Sequence, residues 1–360
     1  MTPARPLRLL LSAAEPSGDR LAAELLLALR ELREVEVRAV AGPALRALGV
    51  TEIAAVEDLS VNGVQEVLAR WPSIRRARRR LCTALDDPPD LLVTVDAPDL
   101  HLPLARAARA RGVRAVGYVS PQVWAWRPGR ARAIARDLDR LLCLFPFEPA
   151  LYTRHGLDAR FVGHPVVDRL AEVRRAPRPG CFALLPGSRR EELRRLLPVF
   201  LDAARAVRRE RPEATFRLGL AEGADRGLVP AEEGVEVVAG LAAAAAEAEA
   251  ALVASGTATL ELAVLGVPMV VAYQVHASTY ALGRLLVRGV RHIALPNILA
   301  GEGIVPEHLQ RLDPTALAVD LLRVAADPAV PARLRAVRSS LGPPGAARRA
   351  AEALLEPFAG

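Results

Sequence analysis

The segment LRLLLSAAEPSGDRLAAELLLAL, which runs from Leu7 to Leu29, decides the fold class of this chain. Its first six residues, Leu7 to Ser12, form a short apolar run typical of a buried strand, and the small and polar residues that follow interrupt the run. From Gly18 onward leucines recur at helical spacing, and the stretch from Glu36 to Val40 again has the character of a strand. The segment therefore predicts strand, loop, helix and strand, which is the start of a parallel α/β sheet.

The same order of elements returns in the second half of the chain and predicts two domains. CFALLPGSRREELRRLLPVF, residues 181–200, again passes from an apolar run through a small-residue loop into a helix. Because 360 residues are about twice a common domain, each half can bury its own core. We expect two doubly wound, Rossmann-like domains at residues 1–173 and 181–340, a linker at 174–180 and a helical tail at 341–360. The strand-to-helix loops of both domains are expected to face a central cleft.

Shorter apolar runs supply the remaining strands, with arginine- and alanine-rich helices between them. The alanine-rich run from Leu241 to Ala251 predicts one ordinary helix. The spacing of these runs is typical of parallel sheets that are covered on both faces. Further strands are predicted at residues 91–95, 115–119, 141–145, 160–162, 215–218, 235–238, 251–254 and 268–272.

The basic residues restrict the chemistry. All 48 are arginines, since the sequence has no lysine, and against 41 acidic residues they give a net charge of +7. A phosphate-binding loop that ends in Gly-Lys and a lysine Schiff base are therefore excluded. Arginine does not release its proton at working pH, so a general base must be a carboxylate or one of the six histidines.

The overall composition is that of a globular protein, with 51% hydrophobic and 25% charged residues. No run approaches the roughly 20 apolar residues of a membrane span, and no cleavable signal pattern is present, so we expect a cytoplasmic location. The cysteines and histidines lack the spacing of metal ligands, so no metal and no cofactor are predicted. The net positive charge would suit a nucleic-acid binder, but no zinc finger, RNP motif or basic arm is present, and no nucleic-acid partner is expected.

Two small-residue loops in the second half are candidates for binding a diphosphate. In Pro186–Arg189 a strand passes into a helix, where free backbone amides and an arginine fork could hold phosphate oxygens. Ser255–Thr257 repeats this arrangement, and Glu261 lies one turn into the helix, where it could accept hydrogen bonds from ribose hydroxyls. A tight turn and ordinary helix caps are the alternative interpretations. The candidate residues for binding a diphosphate and a ribose are Gly187, Ser188, Arg189, Ser255, Gly256, Thr257 and Glu261.

Acidic residues follow two predicted strands of the first half. Asp96, in the segment DAPD, ends an apolar run, so partial burial should raise its pKa as a general base requires. Asp99 is expected to be more exposed, and a turn or cap role is the alternative for either residue. The loop EPSGD lacks the GxGxxG pattern of a dinucleotide site. Further candidates on the cleft side of the first domain, each with capping or a structural role as its alternative, are Glu15, Ser17, Asp19 and His164.

The segment LSVNGVQEVLARWPSIRRARRRL, from Leu59 to Leu81, changes from apolar to strongly basic. A basic amphipathic helix of this kind can lie on anionic lipid, and each arginine near the surface contributes about 1 kcal/mol. A solvated helix face is the alternative interpretation. The candidate membrane-contacting residues are Trp71, Arg75, Arg76, Arg78, Arg79 and Arg80.

Taken together, these segments resemble the lipid-A-disaccharide synthase family, inverting glycosyltransferases of the GT-B fold. The most specific match is YVSPQVWAWR, from Tyr118 to Arg127, which is similar to the family signature YVSPxVWAWR. Nine further segments also match and extend the resemblance over nearly the whole chain. They are LFPFEP, FVGHP, EPSGD, NGVQEVL, DAPD, LLPGSR, ASGTATLE, LPNILAG and VPEHLQ. Ala14, where the family usually has glycine, is a small departure.

The resemblance implies a specific reaction. UDP-2,3-diacylglucosamine would donate its sugar to the 6-hydroxyl of 2,3-diacylglucosamine 1-phosphate, lipid X, to give the lipid A disaccharide and UDP without a metal. The second domain would bind the donor, with Asn297 and Gln274 added to its binding residues, and Asp96 would be the base. The resemblance also implies peripheral association with the inner membrane and suggests a homodimer.

Two competing interpretations remain at this stage. The first is another UDP-sugar protein of the same fold, such as an epimerase or a transferase with a soluble acceptor, although the YVSPQVWAWR segment and the amphipathic segment argue against it. The second is a basic module that binds nucleic acid or lipid and catalyses nothing; its binding to duplex DNA would have to persist at moderate salt.

Overall fold

Short apolar runs form two separate sheets in which all paired strands are parallel. The computed structural model describes residues 5–59, 64–124, 129–221, 223–275 and 291–356, with the backbone alone over 64–71. The first sheet contains β1 (Leu7–Ala13), β2 (Val35–Ala41), β3 (Thr51–Ala55), β4 (Leu91–Val95), β5 (Arg114–Tyr118), β6 (Arg140–Cys143) and β7 (Asp158–Phe161). The second contains β8 (Cys181–Leu185), β9 (Thr215–Leu220), β10 (Val235–Ala239), β11 (Ala250–Ala254), β12 (Met269–Tyr273) and β13 (Glu307–Leu309).

Helices connect these strands and cover the sheets. In the first unit they are α1 (Pro16–Leu32), α2 (Pro43–Arg46), α3 (Val64–Thr83), α4 (Pro98–Arg109), α5 (Arg130–Asp137) and α6 (Pro149–Thr153). The second unit has α7 (Val166–Arg169), α8 (Arg190–Glu210), α9 (Gly240–Ala246), α10 (Thr257–Leu265), α11 (Leu295–Ala300), α12 (Pro314–Ala326) and α13 (Ala329–Ser340). The last helix, α14 (Ala346–Leu355), returns to the first unit. No described helix is long and apolar enough to cross a membrane.

The strand order has the same form in both sheets. It is β3-β2-β1-β4-β5-β6-β7 in the first and β10-β9-β8-β11-β12-β13 in the second. In each sheet the chain starts near the middle, winds to one edge and then crosses back, so the winding reverses between β1 and β4 and between β8 and β11. Ligands of such sheets bind outside the carboxyl ends of the strands at this switch point. Ala13 pairs with Val95 and Leu185 with Val253, so the strands on either side end at nearly the same level.

The strands predicted from the sequence are confirmed within one or two residues at each end. Two strands were not predicted, TEIAA at Thr51–Ala55 and EHL at Glu307–Leu309. Both lie at a sheet edge, where one side is open to solvent and no continuous apolar run is needed. The alanine-rich run was predicted as one helix but divides: α9 ends at Ala246 and β11 begins at Ala250. Burial in the sheet overrides the high helix propensity of alanine there.

The division of the chain differs from the sequence prediction. One unit comprises the residues up to Pro165 together with those from Pro343, and the other comprises 166–342. The predicted linker belongs to the second unit, because the Arg175 guanidinium donates to the Gly266 carbonyl at 2.9 Å. The predicted tail belongs to the first unit, because α14 packs on α1 and the Arg349 guanidinium donates to the Val162 carbonyl at 2.9 Å.

Candidate functional site

The turn after β4, here called the Asp96 turn (Asp96 and Ala97), has an unusual backbone. Both residues lie in the left-handed region, with φ of +51° and +46°, and Val119 after the neighbouring β5 has φ of +75°. The Asp96 amide still donates to the Tyr118 carbonyl at 3.1 Å, so the turn remains joined to β5. Left-handed backbone is costly for residues with a Cβ, and such positions cluster at functional sites. The switch point of the first sheet is therefore the first candidate site.

The surroundings of the Asp96 carboxyl raise its pKa. Asp96 is exposed, in contrast to the partial burial expected from the sequence, yet the protein atoms around its carboxyl still raise its pKa by loss of hydration. A hydrogen bond from the Ala97 amide opposes this rise, and the nearby Glu15 carboxylate adds to it. The direction agrees with the expectation from the sequence. A small cavity of about 20 Å³, lined in part by Thr94, Asp96 and Val119, lies beside the turn and has room for about one water molecule.

Asp99 has different surroundings. It is exposed, as expected from the sequence, and its carboxylate forms an ion pair with the Arg130 guanidinium of α5. Asp99 is therefore held in a salt bridge at the start of α4, whereas the groups that shift the pKa of Asp96 are a backbone amide and a carboxylate.

The loop EPSGD contributes exposed and buried residues to this edge. Glu15 and Ser17 are exposed. Asp19 is buried, and its carboxylate accepts hydrogen bonds at 2.8 Å from the amides of Gly42 and Ala44 at the start of α2. A Cβ on Gly42 would lie 2.6 Å from an Asp19 oxygen, so this contact requires glycine. The structure thus corrects the placement of Asp19 among the candidate cleft residues, because its carboxylate caps α2.

In the second sheet, two loops flank the switch point between β8 and β11. The PGSR loop (Pro186–Arg189) leads from β8 into α8, and the SGT loop (Ser255–Thr257) leads from β11 into α10. Gly187 has φ of +109°, and a Cβ there would lie 2.6 Å from an oxygen of Glu192. Strand order therefore brings together the two loops that the sequence predicts to bind a diphosphate.

A carboxylate lies against the PGSR loop. Oε2 of Glu192 accepts hydrogen bonds at 3.3 Å from the amides of Ser188 and Arg189. Nη1 of Arg189 lies 3.5 Å from the other oxygen of the same carboxylate. Two backbone amides and a guanidinium are the donors that anionic oxygens prefer at a helix start. The loop therefore forms an anion-binding arrangement, and the role of Glu192 was not predicted from the sequence.

The SGT loop combines engaged and exposed groups. The Ser255 hydroxyl donates to the Ile293 carbonyl at 3.2 Å, while Gly256 and Thr257 are exposed at the start of α10. Glu261, one turn into the helix, is half-buried and lies 3.9 Å from the Arg169 guanidinium. Helix-start amides with a carboxylate one turn away remain compatible with binding a phosphate and a ribose.

Asn297 and Gln274 are engaged within the protein. The Asn297 oxygen accepts from the amides of Ile304 and Val305 at 2.8 and 2.9 Å, and its nitrogen donates to Val305 and Glu307, both at 2.8 Å. Asn297 is buried and all its hydrogen-bonding capacity is used. Gln274 donates to a backbone carbonyl of the VPEHLQ segment at 3.1 Å. The structure therefore corrects the direct donor-binding role of Asn297: it joins the LPNILAG and VPEHLQ segments.

Aromatic side chains line the ends of β5, β6 and β7. Phe147 lies between Trp124 and Phe145, with ring centroids 5.6 and 5.8 Å away, and His164 lies 5.4 Å from Phe145. Beneath this row, burial raises the pKa of Glu148 to about 7, and its carboxylate accepts from the Phe145 amide at 3.0 Å. The signature segment thus packs on the LFPFEP segment, which in turn contacts the FVGHP segment. Residues 125–128 of the signature lie outside the described part of the chain.

The basic part of α3 has one buried and one exposed face. Ala77 and Leu81, four residues apart, are buried in the first core. The side chain of Trp71 lies outside the described residues. The arginines that the sequence predicts to contact a membrane are exposed: Arg75, Arg76, Arg78, Arg79 and Arg80.

Among the residues that the structure describes, no three His, Cys, Asp or Glu side chains are grouped as a metal site would require.

Comparison with known proteins identifies the family. A family model for lipid-A-disaccharide synthetase matches residues 9–326. The chain belongs to the lipid-A-disaccharide synthase family. Its relatives of that name include those of Anaeromyxobacter dehalogenans (strain 2CP-C), 42% identical over 378 residues, and Geobacter sulfurreducens, 39% identical over 373 residues, each match covering 97% of both chains. The family is one of glycosyltransferases and has its role in lipid A biosynthesis.

Solved structures show the fold. The glycosyltransferase of kitacinnamycin is 20% identical with a TM-score of 0.65, and the match covers 98% of this chain and 99% of that one. S. aureus MnaA, solved with UDP, is 12% identical with a TM-score of 0.65, and the match covers 98% and 97%. At these identities the likeness concerns the fold alone. With the two parallel sheets, it confirms the predicted GT-B fold.

Proposed function

We propose that the protein transfers the sugar of UDP-2,3-diacylglucosamine to the 6-hydroxyl of lipid X, with inversion at the anomeric carbon. The products are lipid A disaccharide 1-phosphate and UDP. The family supports the reaction class. The observation that carries the assignment is the placement of a carboxyl of raised pKa at the switch point of one sheet and an anion-binding loop at that of the other.

The second unit holds the donor in this proposal. The amides of the PGSR and SGT loops and the Arg189 guanidinium bind the diphosphate, and Glu261 accepts hydrogen bonds from the ribose. Negative charge develops on the leaving UDP as the glycosidic bond breaks, and donors already fixed toward that charge stabilise the transition state. Arginine and helix-start amides supply the positive potential that a metal ion provides in other transferases. Asn297 and Gln274 support the neighbouring chain rather than the nucleotide.

The first unit supplies the base in this proposal. Asp96 accepts the proton of the acceptor 6-hydroxyl while that oxygen forms a bond to the anomeric carbon and the bond to the UDP oxygen breaks. Attack from the face opposite UDP inverts the configuration. A carboxyl of raised pKa is a better proton acceptor than an ordinary aspartate, because the ideal base has a pKa near the working pH. Exposed Glu15 and Ser17, at the N-cap and in the first turn of α1, follow the adjacent strand and would contact the acceptor.

The arginines of α3 bring the protein to its substrates in this proposal. Both substrates carry acyl chains, so they reside in a membrane, and exposed arginines attract the anionic surface of the inner leaflet. The contact is peripheral. Binding to vesicles of anionic lipid should weaken when Arg75, Arg76, Arg78, Arg79 and Arg80 are replaced by glutamine; undiminished binding by that variant would contradict this part.

The deciding experiment is reconstitution of the reaction. Purified protein with UDP-2,3-diacylglucosamine and lipid X should form disaccharide and UDP in equal amounts, and NMR of the product should show a β linkage. UDP release without disaccharide would favour a nucleotide-sugar enzyme with another acceptor. Formation of neither product would overturn the proposed function.

A further inference from the structure

Two polar side chains meet inside the first core, next to the Asp96 turn. The Ser12 hydroxyl lies 2.9 Å from Nε2 of His101, and Nδ1 of the same ring lies 2.6 Å from the backbone carbonyl oxygen of Asp96. Ser12 is 0% exposed and His101 2% exposed. Ser12 belongs to β1 and His101 to α4, so the imidazole joins both sides of the switch point. Neither residue entered the functional interpretation of the sequence.

The hydrogen-bonding partners fix the state of the ring. A carbonyl oxygen can only accept, so Nδ1 carries the proton and donates to Asp96. Nε2 then accepts from the Ser12 hydroxyl. Burial lowers the pKa of His101 to about 4, so the ring remains neutral at working pH. The ring therefore forms a fixed, uncharged bridge from β1 to the Asp96 carbonyl.

This bridge holds a backbone that would otherwise relax. Asp96 and Ala97 are both left-handed residues with a Cβ, a combination that persists only where surrounding contacts enforce it. The Asp96 amide is bound to β5, and the Asp96 carbonyl is bound by His101. Held at both its amide and its carbonyl, the peptide backbone fixes the direction in which the Asp96 side chain leaves the turn.

We propose that His101, supported by Ser12, is a positioning residue that aims the Asp96 carboxylate at the acceptor hydroxyl. The inference rests on the proposed function, in which Asp96 is the base. Ser12 lies near the end of a strand that is otherwise leucine-rich, LRLLLSA. An apolar pair in place of Ser12 and His101 would fill the core without needing hydrogen bonds. The pair is therefore explained by what it does to the Asp96 turn.

Three substitutions test the bridge. His101→Leu removes the donor to Asp96, His101→Asn keeps an amide N–H near the place of Nδ1, and Ser12→Ala removes only the far hydrogen bond. We expect His101→Leu to lower kcat roughly 10- to 100-fold, because a small misplacement of a catalytic group has effects of that size. His101→Asn should recover much of the loss, and Ser12→Ala should lose less than His101→Leu. UDP affinity should stay unchanged in all three, since the nucleotide is assigned to the other unit.

A purely structural role predicts a different outcome. It would lower the melting temperature without moving the pH profile, whereas a displaced Asp96 carboxyl should shift the acid limb of kcat toward lower pH, as the carboxyl regains water. In an Asp96→Asn background, His101→Leu should have almost no further effect on turnover, since it acts through Asp96. Normal kcat with an unshifted pH profile in folded His101→Leu would overturn the inference. Should His101→Leu not fold, the same result in Ser12→Ala would overturn it.

The two proposals can fail separately. Absence of disaccharide formation by the wild-type protein would remove the proposed function. Loss of turnover in Asp96→Asn together with normal turnover and pH profile in the His101 and Ser12 variants would leave the function in place and remove only the positioning role.

Discussion

The turns at the two switch points both contain residues with left-handed backbone, but the residues differ. In the second unit the PGSR loop turns at Gly187, whose φ of +109° is open to glycine. In the first unit the left-handed positions are Asp96 and Ala97, which both carry a Cβ. Glycine suits a loop whose backbone amides bind the ligand. In the proposed reaction the first turn needs a side chain that takes up a proton, and the carbonyl of its left-handed Asp96 is held by the His101 ring.

The charged groups around the Asp96 turn also differ from those at the PGSR loop. At the Asp96 turn, loss of hydration raises the pKa of Asp96, and the nearby Glu15 carboxylate adds to this rise. At the PGSR loop, the amides of Ser188 and Arg189 and the Arg189 guanidinium surround a carboxylate oxygen of Glu192. One site thus favours taking up a proton, and the other favours holding an anion. Substitutions at each should affect different steps of the reaction.

The largest effect is expected at the first turn. Asp96→Asn preserves shape but removes the proton acceptor, so turnover should fall by roughly two to four orders of magnitude. UDP affinity, measured by calorimetry, should remain that of the wild type. In the wild type, kcat should fall as the pH is lowered through the raised pKa of Asp96, because the protonated carboxyl cannot accept another proton.

Asp99→Asn is the matched control for this change. It alters the neighbouring carboxylate, which is ion-paired to Arg130, and should keep most of the turnover. If Asp96→Asn retained near-normal turnover while Asp99→Asn lost it, the base would be Asp99 and the comparison between the two turns would fail.

A smaller effect, on binding instead of turnover, is expected in the second unit. Arg189→Ala removes a charge-assisted contact to the diphosphate, and contacts of this kind contribute about 1.5–3 kcal/mol, so UDP should bind roughly 10- to 100-fold more weakly. Glu261→Ala should also weaken UDP binding, through the ribose. Arg190→Ala, next in sequence and 3.5 Å from Asp225, is the control and should leave affinity unchanged. Unaltered UDP affinity in both Arg189→Ala and Glu261→Ala would contradict the donor site.

The sequence predicted the features that depend on local pattern. Continuous apolar runs located most strands, and the end of one such run placed Asp96 at a sheet edge with a raised pKa. Contacts between distant segments were not predictable in the same way. Ser12 and His101 are 89 residues apart and meet only because β1 and β4 are neighbours. The burial of Asn297 and the return of α14 to the first unit depend equally on tertiary packing.

The smallest effect is expected from relieving the backbone of the first turn. Ala97→Gly removes a Cβ from a left-handed position, which is worth about 1–2 kcal/mol, but glycine also gives the unfolded chain more freedom, worth about 0.4–1 kcal/mol. The net gain in stability should be from about zero to about 1.6 kcal/mol, measurable by denaturant unfolding. Ala110→Gly, at the right-handed end of α4, relieves nothing and should lose about 0.5–1 kcal/mol. An equal loss of stability in both variants would show that the Asp96 turn carries no strain, and the contrast with Gly187 would then rest on chemistry alone.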